Sequence, residues 1–346
     1  MAGPRRDTRG IVDAPELFAR VRFRRREPAP ALRPYLEHYW LIDWDLPQPY
    51  VSHVVPHPSV NVVFQRFGHG PDSPPFAEVA GIGLELFTQR LEGRGRVCGV
   101  QFRPGGFRPF APRWPVSEWT GRRVPLGEVM PTTDTDIETV LGPAEAEESE
   151  EEIGERTGKE TEEKARQEAR QENARVAALD TYLLGVGTRP DPGADRAMAL
   201  ADRIRTDRTI RRVAQLAEAE GVSTRSLQRL FATYVGVGPK WVILRYRIHE
   251  ALERAESDAD TVTDESPEGD ADPHAGSGLL ASPDLGSRSR SGSRSGSGSA
   301  SVPASGRQVD WAELASELGY SDQAHLVRDF TATVGVPPTA YGRSGL

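Results

Sequence analysis

The feature that most constrains this chain is a stretch that occurs twice, first from Val213 to Tyr246 and again from Trp311 to Tyr341. Both copies contain a Leu-Ala pair, two glycines, a serine, a leucine, an arginine, a phenylalanine and a proline in the same order. The offset between the copies is 98 residues up to the serines and 99 residues from the leucines onward. The second copy therefore has one extra residue in its turn, and a repeat of this kind indicates one structural unit present twice.

Each copy is predicted to form a helix, a short turn and a second helix. Val213, Leu216 and Ala217 place apolar residues at helical spacing. Gly221 supplies the left-handed residue that ends the first helix, and Ser223 is the predicted N-cap of the next. The buried stripe of the second helix is expected to consist of Leu227, Leu230, Phe231 and Tyr234 in the first copy, and of Leu326, Phe330 and Val334 in the second.

The opposite face of each second helix is mostly polar. It carries Arg225, Gln228 and Arg229 in the first copy, and Gln323, Ala324, Val327 and Arg328 in the second. Arg and Gln are the side chains that pair with guanine and adenine edges, and two helices joined by a short glycine-containing turn are typical of a DNA-reading helix-turn-helix. A plain helical bundle with a solvated charged face gives the same pattern. The presence of two copies favours DNA binding.

With these motifs, the region from about Asp195 to Arg343 resembles the DNA-binding domain of AraC-type bacterial transcription regulators. The matching stretches are SLQRLF with its Gly-x-x-Pro turn, WVILRYRIHEALE, LASELGYSDQAHLVRDF and VGVPPTAY. The resemblance implies that the helix after the first Gly-x-x-Pro turn is a rigid connector. That connector would set two reading helices about one DNA turn apart, or roughly 34 Å.

The resemblance also implies roles for individual residues. The expected base-reading residues are Arg225, Gln228, Arg229, Gln323, His325 and Arg328. Ala324 and Val327 can contact only a thymine methyl group, so readout by the second helix should be weaker. The expected phosphate contacts are Thr224, Lys240 and Arg245.

Between residues 31 and 130 the pattern changes to alternating segments separated by Gly and Pro, which predicts short β-strands. The segments are LRPYLEHYWLIDWDL, SVNVVFQ (with Val60, Val62 and Phe64 on one face), EVAGIGL, QRLEG and RVCGVQF. Trp40, Trp44, Phe64, Phe102 and Phe107 are expected in the core or around a pocket. The stretches PHPSVNVVF and LEGRGRVCGVQFRPGGFRPF resemble the cupin-like N-terminal domain of a subset of AraC-type regulators, which implies a role in sensing or dimerisation. The predicted class is α+β, a β-sandwich or barrel-like domain followed by an all-α domain of two helix-turn-helix units.

Composition sets the remaining boundaries. Residues 1–30, with eight arginines, are predicted to be a disordered basic tail containing a short strand at Phe18–Phe23. Residues 131–175 are predicted to be an acidic linker that becomes helical towards its end. After it, VAALDTYLLG at 176–185 is predicted to form a docked helix. The DNA-binding domain is assigned to 176–346 and begins with a helix at Ala194–Arg205. It is interrupted by a disordered insertion at 257–307, where the AraC-type pattern has only a short turn.

Charge and cysteine usage exclude several classes of protein. The net charge is −8, but residues 195–256 carry 12 Arg and Lys against 8 Asp and Glu, which suits a local DNA-binding surface. Cys98 is the only cysteine, so a DNA-repair hybrid with a zinc held by four thiolates is excluded. With no apolar run near 20 residues and no apolar segment of a signal peptide, we expect no membrane contact and a cytoplasmic, nucleoid-associated location.

The alternative function is a metal-dependent cupin-like enzyme with an accessory DNA-binding module. His38, His53, His57 and His69 lie in the relevant half, but their spacing is not that of a cupin metal site. We therefore predict no metal, no cofactor and no catalytic residue, and a sequence-specific transcription regulator as the function. Double-stranded DNA is the expected partner, and RNA polymerase, an unidentified small-molecule effector and a second copy of the chain are further candidates.

Overall fold

The structure, a computed structural model, describes residues 10–68, 73–143, 158–263 and 309–341. An antiparallel sheet occupies the N-terminal part and helices occupy the C-terminal part, so the α+β prediction is confirmed. Some earlier predictions lie outside the described residues. They concern the first part of the basic tail, His69, the middle of the acidic stretch and most of the insertion.

Seven strands form one antiparallel sheet in the order β1-β3-β6-β4-β5-β7, and β2 pairs with the β3 strand. The strands are β1 (Ile11–Val12), β2 (Val21–Arg26), β3 (Leu36–Val54), β4 (Asn61–Phe67), β5 (Phe76–Ala80), β6 (Phe87–Phe102) and β7 (Arg123–Pro125). The segments QRLEG and RVCGVQF, predicted as separate strands, lie in the single long strand β6. All seven strands belong to one hydrogen-bonded sheet.

Side chains alternate between the two faces of the sheet along each strand, and each face packs into a core of its own. Val60, Val62 and Phe64 lie in one core together, as their spacing predicted. Trp44 and Val97 belong to a second core. Of the five aromatic residues expected in the core, Trp40 is only half-buried, while the other four are buried.

The helices, with two short 3-10 turns, account for most of the remaining described chain. They are α1 (Ala14–Arg20), 3-10 turns at Val116–Trp119 and Leu126–Glu128, α2 (Asp134–Leu141), α3 (Gly158–Val186), α4 (Pro192–Thr206), α5 (Val213–Ala219), α6 (Thr224–Tyr234), α7 (Pro239–Thr263), α8 (Trp311–Glu317), α9 (Gln323–Val334) and α10 (Pro338–Tyr341). The predicted docked helix is the C-terminal part of α3, and the helix expected at Ala194–Arg205 is α4. Within the described ranges, none of these helices combines the length and the apolar character that a bilayer crossing needs.

Three predicted boundaries are wrong. Residues 10–30 are not a tail, because the β2 strand pairs with β3 along its whole length and its arginines contact acidic residues of α3. The acidic stretch is not simply a linker, because α2 buries Leu141 and α3 buries Glu172 and Arg175. In the insertion, residues 257–263 continue helix α7.

Candidate nucleic-acid interface

The first copy of the repeat forms the predicted helix, turn and helix. Gly221 has a φ of 63° between α5 and α6, in the left-handed region where glycine is favoured. The Ser223 side chain caps α6 by accepting a hydrogen bond from the Ser226 amide at 3.1 Å. Leu227 and Phe231 are buried, so the apolar stripe of α6 faces inward.

The second copy has the same form with a different cap. Gly319 has a φ of 76° between α8 and α9. The cap of α9 is Asp322, whose carboxylate accepts a hydrogen bond from the His325 amide at 2.8 Å. The extra residue of the second turn therefore moves the capping position one residue beyond Ser321, the counterpart of Ser223.

All six predicted base-reading side chains are exposed, on the faces of α6 and α9 that point away from their cores. They are Arg225, Gln228, Arg229, Gln323, His325 and Arg328. Among the neighbours on α9, Ala324 is exposed and Val327 is half-buried. Both faces can therefore be reached by a large partner, which base reading requires.

The two exposed faces differ in charge. Helix α6 has no acidic residue, whereas α9 is preceded by Asp322 and contains Asp329. The His325 ring is also engaged locally, since its Nδ1 lies 3.2 Å from the Ser321 hydroxyl and its Nε2 lies 3.7 Å from the Asp329 carboxylate. The face of α6 is therefore the more cationic and the less occupied of the two.

One predicted phosphate contact is wrong. Thr224 and Lys240 are exposed, but Arg245 is only 6% exposed. Its Nη2 donates to the Leu84 carbonyl at 3.3 Å and its guanidinium lies 4.4 Å from the centre of the Trp241 ring. Burial lowers the pKa of Arg245 to about 10. This arginine holds the sheet against α7 and does not face a duplex.

A short loop of the sheet domain, residues 82–86, contacts both copies, and we call it the bridging loop. Ile82 packs against the Gly236 turn after α6, where an added Cβ would lie 2.8 Å from the Ile82 side chain. Leu86 packs against the Gly335 turn after α9, 3.4 Å from the corresponding position. Between them Leu84 accepts the hydrogen bond from α7, so one loop touches both units and their connector.

Sequence reasoning missed two arginines at the junction between the copies. Arg247 of α7 donates to the Arg211 carbonyl at 2.9 Å and lies 5.6 Å from the centre of the Tyr320 ring. The Arg211 side chain in turn covers Gly319 so closely that a Cβ there would collide with it. No local pattern indicates this contact, because it joins Arg211, which precedes the first copy, to α7 and to the second copy.

Two of the histidines considered for a metal site, His53 and His57, have hydroxyl partners. His53 Nδ1 lies 3.0 Å from the Thr88 hydroxyl, and His57 Nδ1 lies 2.8 Å from the Ser59 hydroxyl. Within the residues that the structure describes, no group of three His, Cys, Asp or Glu side chains is placed to hold a metal ion.

The chain is similar to a domain family in its N-terminal part and to solved structures over most of its length. A family model for a domain of unknown function, DUF6597, matches residues 24–125. No curated protein matches the chain.

Among solved structures, the chain is similar to ToxT from Vibrio cholerae. One ToxT structure, from strain O395, gives 10% identity, a TM-score of 0.37 and coverage of 89% of this chain and 98% of that one. A second, at 1.65 Å resolution, gives 10% identity, a TM-score of 0.35 and coverage of 88% of this chain and 97% of that one. A form with unsaturated fatty acid bound gives 9% identity, a TM-score of 0.34 and coverage of 92% of this chain and 96% of that one. At this identity and TM-score the likeness carries no argument about function.

Proposed function

We propose that this chain is a sequence-specific DNA-binding transcription regulator of the AraC type, which reads two successive major-groove segments with α6 and α9. The observation that carries the proposal is the exposure of both polar faces, in two helix pairs of related sequence whose apolar stripes are buried. In a plain helical bundle, nothing requires an exposed arginine at the same position of both copies, as found at Arg229 and Arg328.

The chemistry of the faces suits base reading. Arg225 and Arg229 offer guanidinium forks that can bond two acceptors of guanine, and Gln228 can pair with adenine. Thr224 and Lys240 lie at the N-terminal ends of α6 and α7, where phosphate contacts would fix the position of the protein on the duplex. On α9, Gln323, His325 and Arg328 would read the second segment.

The two helices should contribute unequally. The carboxylates of Asp322 and Asp329 lie beside the reading face of α9 and repel phosphate, whereas α6 has no such group. We therefore place most of the sequence discrimination on α6. A small-molecule effector, a second copy of the chain or RNA polymerase would act through the sheet domain, which contacts both units through the bridging loop.

Selection of binding sites from a pool of random duplexes by the full-length chain tests the proposal. We expect an enriched site with two conserved segments about 10 base pairs apart, and binding that weakens with salt by a slope of about −0.9 per phosphate contact. Arg229→Ala should lose about 1–3 kcal/mol on the enriched site and relax the preference at one base pair. Arg328→Ala should lose less.

The matched control is Arg33→Ala, which removes one exposed cation from the sheet domain. It should leave affinity and sequence preference unchanged. An equal loss for Arg229→Ala on enriched and scrambled duplexes would mean that Arg229 only touches phosphate. If no sequence were enriched by a folded chain, the regulator assignment would be wrong.

A further inference from the structure

A charged row crosses four strands of the sheet, far in sequence from the repeat. Arg22, Asp43, Arg96 and Arg66 are direct register partners on β2, β3, β6 and β4. Side chains directly opposite each other share one face of a sheet. Arg96 and Arg66 therefore stand side by side, although like charges in this arrangement destabilise a sheet.

The row marks the point where the sheet face changes from apolar to charged. Moving two positions along the strands in one direction leads from the charged row to Leu41, Cys98 and Phe64, which belong to the main core. On the other side Asp45 pairs with Arg94, whose Nε lies 3.1 Å from the carboxylate. Helix α3 passes over this charged end and leaves a cleft of about 290 Å³. We call it the arginine cleft; its lining includes Arg20, Arg22, Arg66, Arg94, Arg96, Arg175, Asp43, Asp45 and Glu168.

In the deepest part of the arginine cleft, two arginines share one carboxylate. Asp43 accepts two hydrogen bonds of 2.9 Å from Arg175 and one of 2.6 Å from Arg96. Burial by itself raises the pKa of Asp43, but the bonds and charges of Arg175 and Arg96 outweigh it and hold that pKa below its usual value. One ionised carboxylate thus faces two buried guanidinium groups.

Arg175 leaves a hydrogen-bond donor unused. Its side chain is 5% exposed, and its Nε has no hydrogen-bond partner among the described residues. A buried donor without an acceptor is costly, and more so when the group is charged. Arg66, on the same row, is 11% exposed and pairs with Glu138 of α2. Six arginines and three carboxylates line the cleft, and three further carboxylates, those of Glu16, Glu172 and Glu138, pair with Arg20, Arg22 and Arg66 from outside the lining.

We propose that the arginine cleft binds a small polyanion carrying two or more carboxylate or phosphate groups. Arginine forks match the planar oxygens of both groups, and several forks around one cleft select a ligand with more than one anionic group. The volume suits a compact metabolite, and the charged lining disfavours a long apolar chain. None of the cleft residues is among the residues proposed to contact DNA, so either proposal can fail without the other.

Calorimetric titration of the full-length chain with pyrophosphate, citrate and acetate at constant ionic strength tests the site. We expect saturable binding with one site per chain for pyrophosphate, citrate or both, and none for acetate. The two polyanions distinguish phosphate from carboxylate as the preferred chemistry. Absence of saturable binding of both polyanions up to about 10 mM, a weak-affinity limit, would overturn the proposal.

Two rim substitutions should act in opposite directions. Arg94→Gln should weaken binding roughly 10-fold, because it removes a charged donor. Asp45→Asn should tighten binding roughly threefold, because it removes a competing carboxylate that is 69% exposed. General damage to the fold cannot tighten binding, so the Asp45 variant keeps the test decisive.

The same strand offers a matched control pair. Arg90 and Glu92 form an exposed ion pair of 2.9 Å on β6, and neither lines the cleft. Arg90→Gln and Glu92→Gln make the same changes of charge and should leave the dissociation constant within about twofold, as expected for screened surface charges. If these controls shifted affinity as much as the rim variants, binding would reflect the overall charge of the protein and the proposed site would be wrong.

Discussion

The two copies of the repeat share a sequence pattern but are held in different surroundings. Leu227 and Phe231 of the first copy belong to the same continuous core as Phe64 of the sheet. Leu326 and Phe330 of the second copy lie in a separate core, formed with the middle of α7 and with Val12 and Val55. The first copy therefore packs as part of the sheet domain. The second copy is attached to that domain through α7 and through its contact with Val12 and Val55.

The turns after α6 and α9 show the same difference. Gly236 is buried, and Thr120 of the sheet domain donates to its carbonyl at 2.6 Å. Gly335 is exposed, and only Leu86 lies near the position of an added Cβ. A local pattern thus fixes the shape of each unit but not its anchoring. A change in the sheet domain should reach α6 directly and α9 mainly through α7.

The largest expected effect comes from removing the central phenylalanine of each copy. Phe231 and Phe330 are both 0% exposed, so either change to alanine should cost about 3–5 kcal/mol. Phe231→Ala should lower the stability of the sheet and the first copy together. Phe330→Ala should unfold the second copy alone, since its core is separate. Hydrogen exchange measured by mass spectrometry along the full-length chain distinguishes the two results.

Peptides from 309–341 should lose protection selectively in Phe330→Ala, while peptides from β3 and β6 keep theirs. In Phe231→Ala the strand peptides should lose protection as well. Equal loss over the whole chain in both variants would show that the copies unfold as one unit and would remove the distinction between them.

A smaller effect is expected at the two turn glycines. Both have positive φ, 95° at Gly236 and 87° at Gly335, so alanine is strained at either position by about 1–2 kcal/mol. At Gly236 the new methyl group would also lie 2.8 Å from Ile82 and 3.0 Å from Val116. Gly236→Ala should therefore cost about 2–4 kcal/mol in total, against about 1–2 kcal/mol for Gly335→Ala. Urea denaturation followed by circular dichroism checks the order, and equal costs would mean that the bridging loop adapts to either turn.

The repeated pattern was enough to predict the local structure of both units. Gly221 and Ser223 do in the structure what their residue types favour, and the exposed positions of α6 and α9 follow from helical spacing. These properties depend on neighbours within one or two turns of helix. The AraC-type roles of those exposed residues remain predictions.

Properties that depend on distant partners could not be predicted. Arg245 looked like a surface cation, but its acceptor, Leu84, lies 161 residues away in sequence. Arg175 stood in a stretch that looked like a solvated linker, and its partner Asp43 is 132 residues away. In both cases a charged side chain is buried because a tertiary contact supplies an opposite charge or an acceptor, and no local pattern reports such a contact.

The smallest expected difference concerns the N-caps of α6 and α9. Ser223→Ala should cost about 1 kcal/mol at any pH, because a hydroxyl cap does not titrate there. The hydrogen bond from the His325 amide is the main cause that holds the pKa of Asp322 below 3.8. That stabilisation is present above the pKa of the unfolded state and is lost as the pH falls through the lower folded value. The stability difference between wild type and Asp322→Ala should thus be constant from pH 7 to about pH 4 and shrink below it. Urea midpoints for both variants across this range check the contrast, and a Ser223→Ala cost that shrank in parallel would show that acid weakens both copies for another reason.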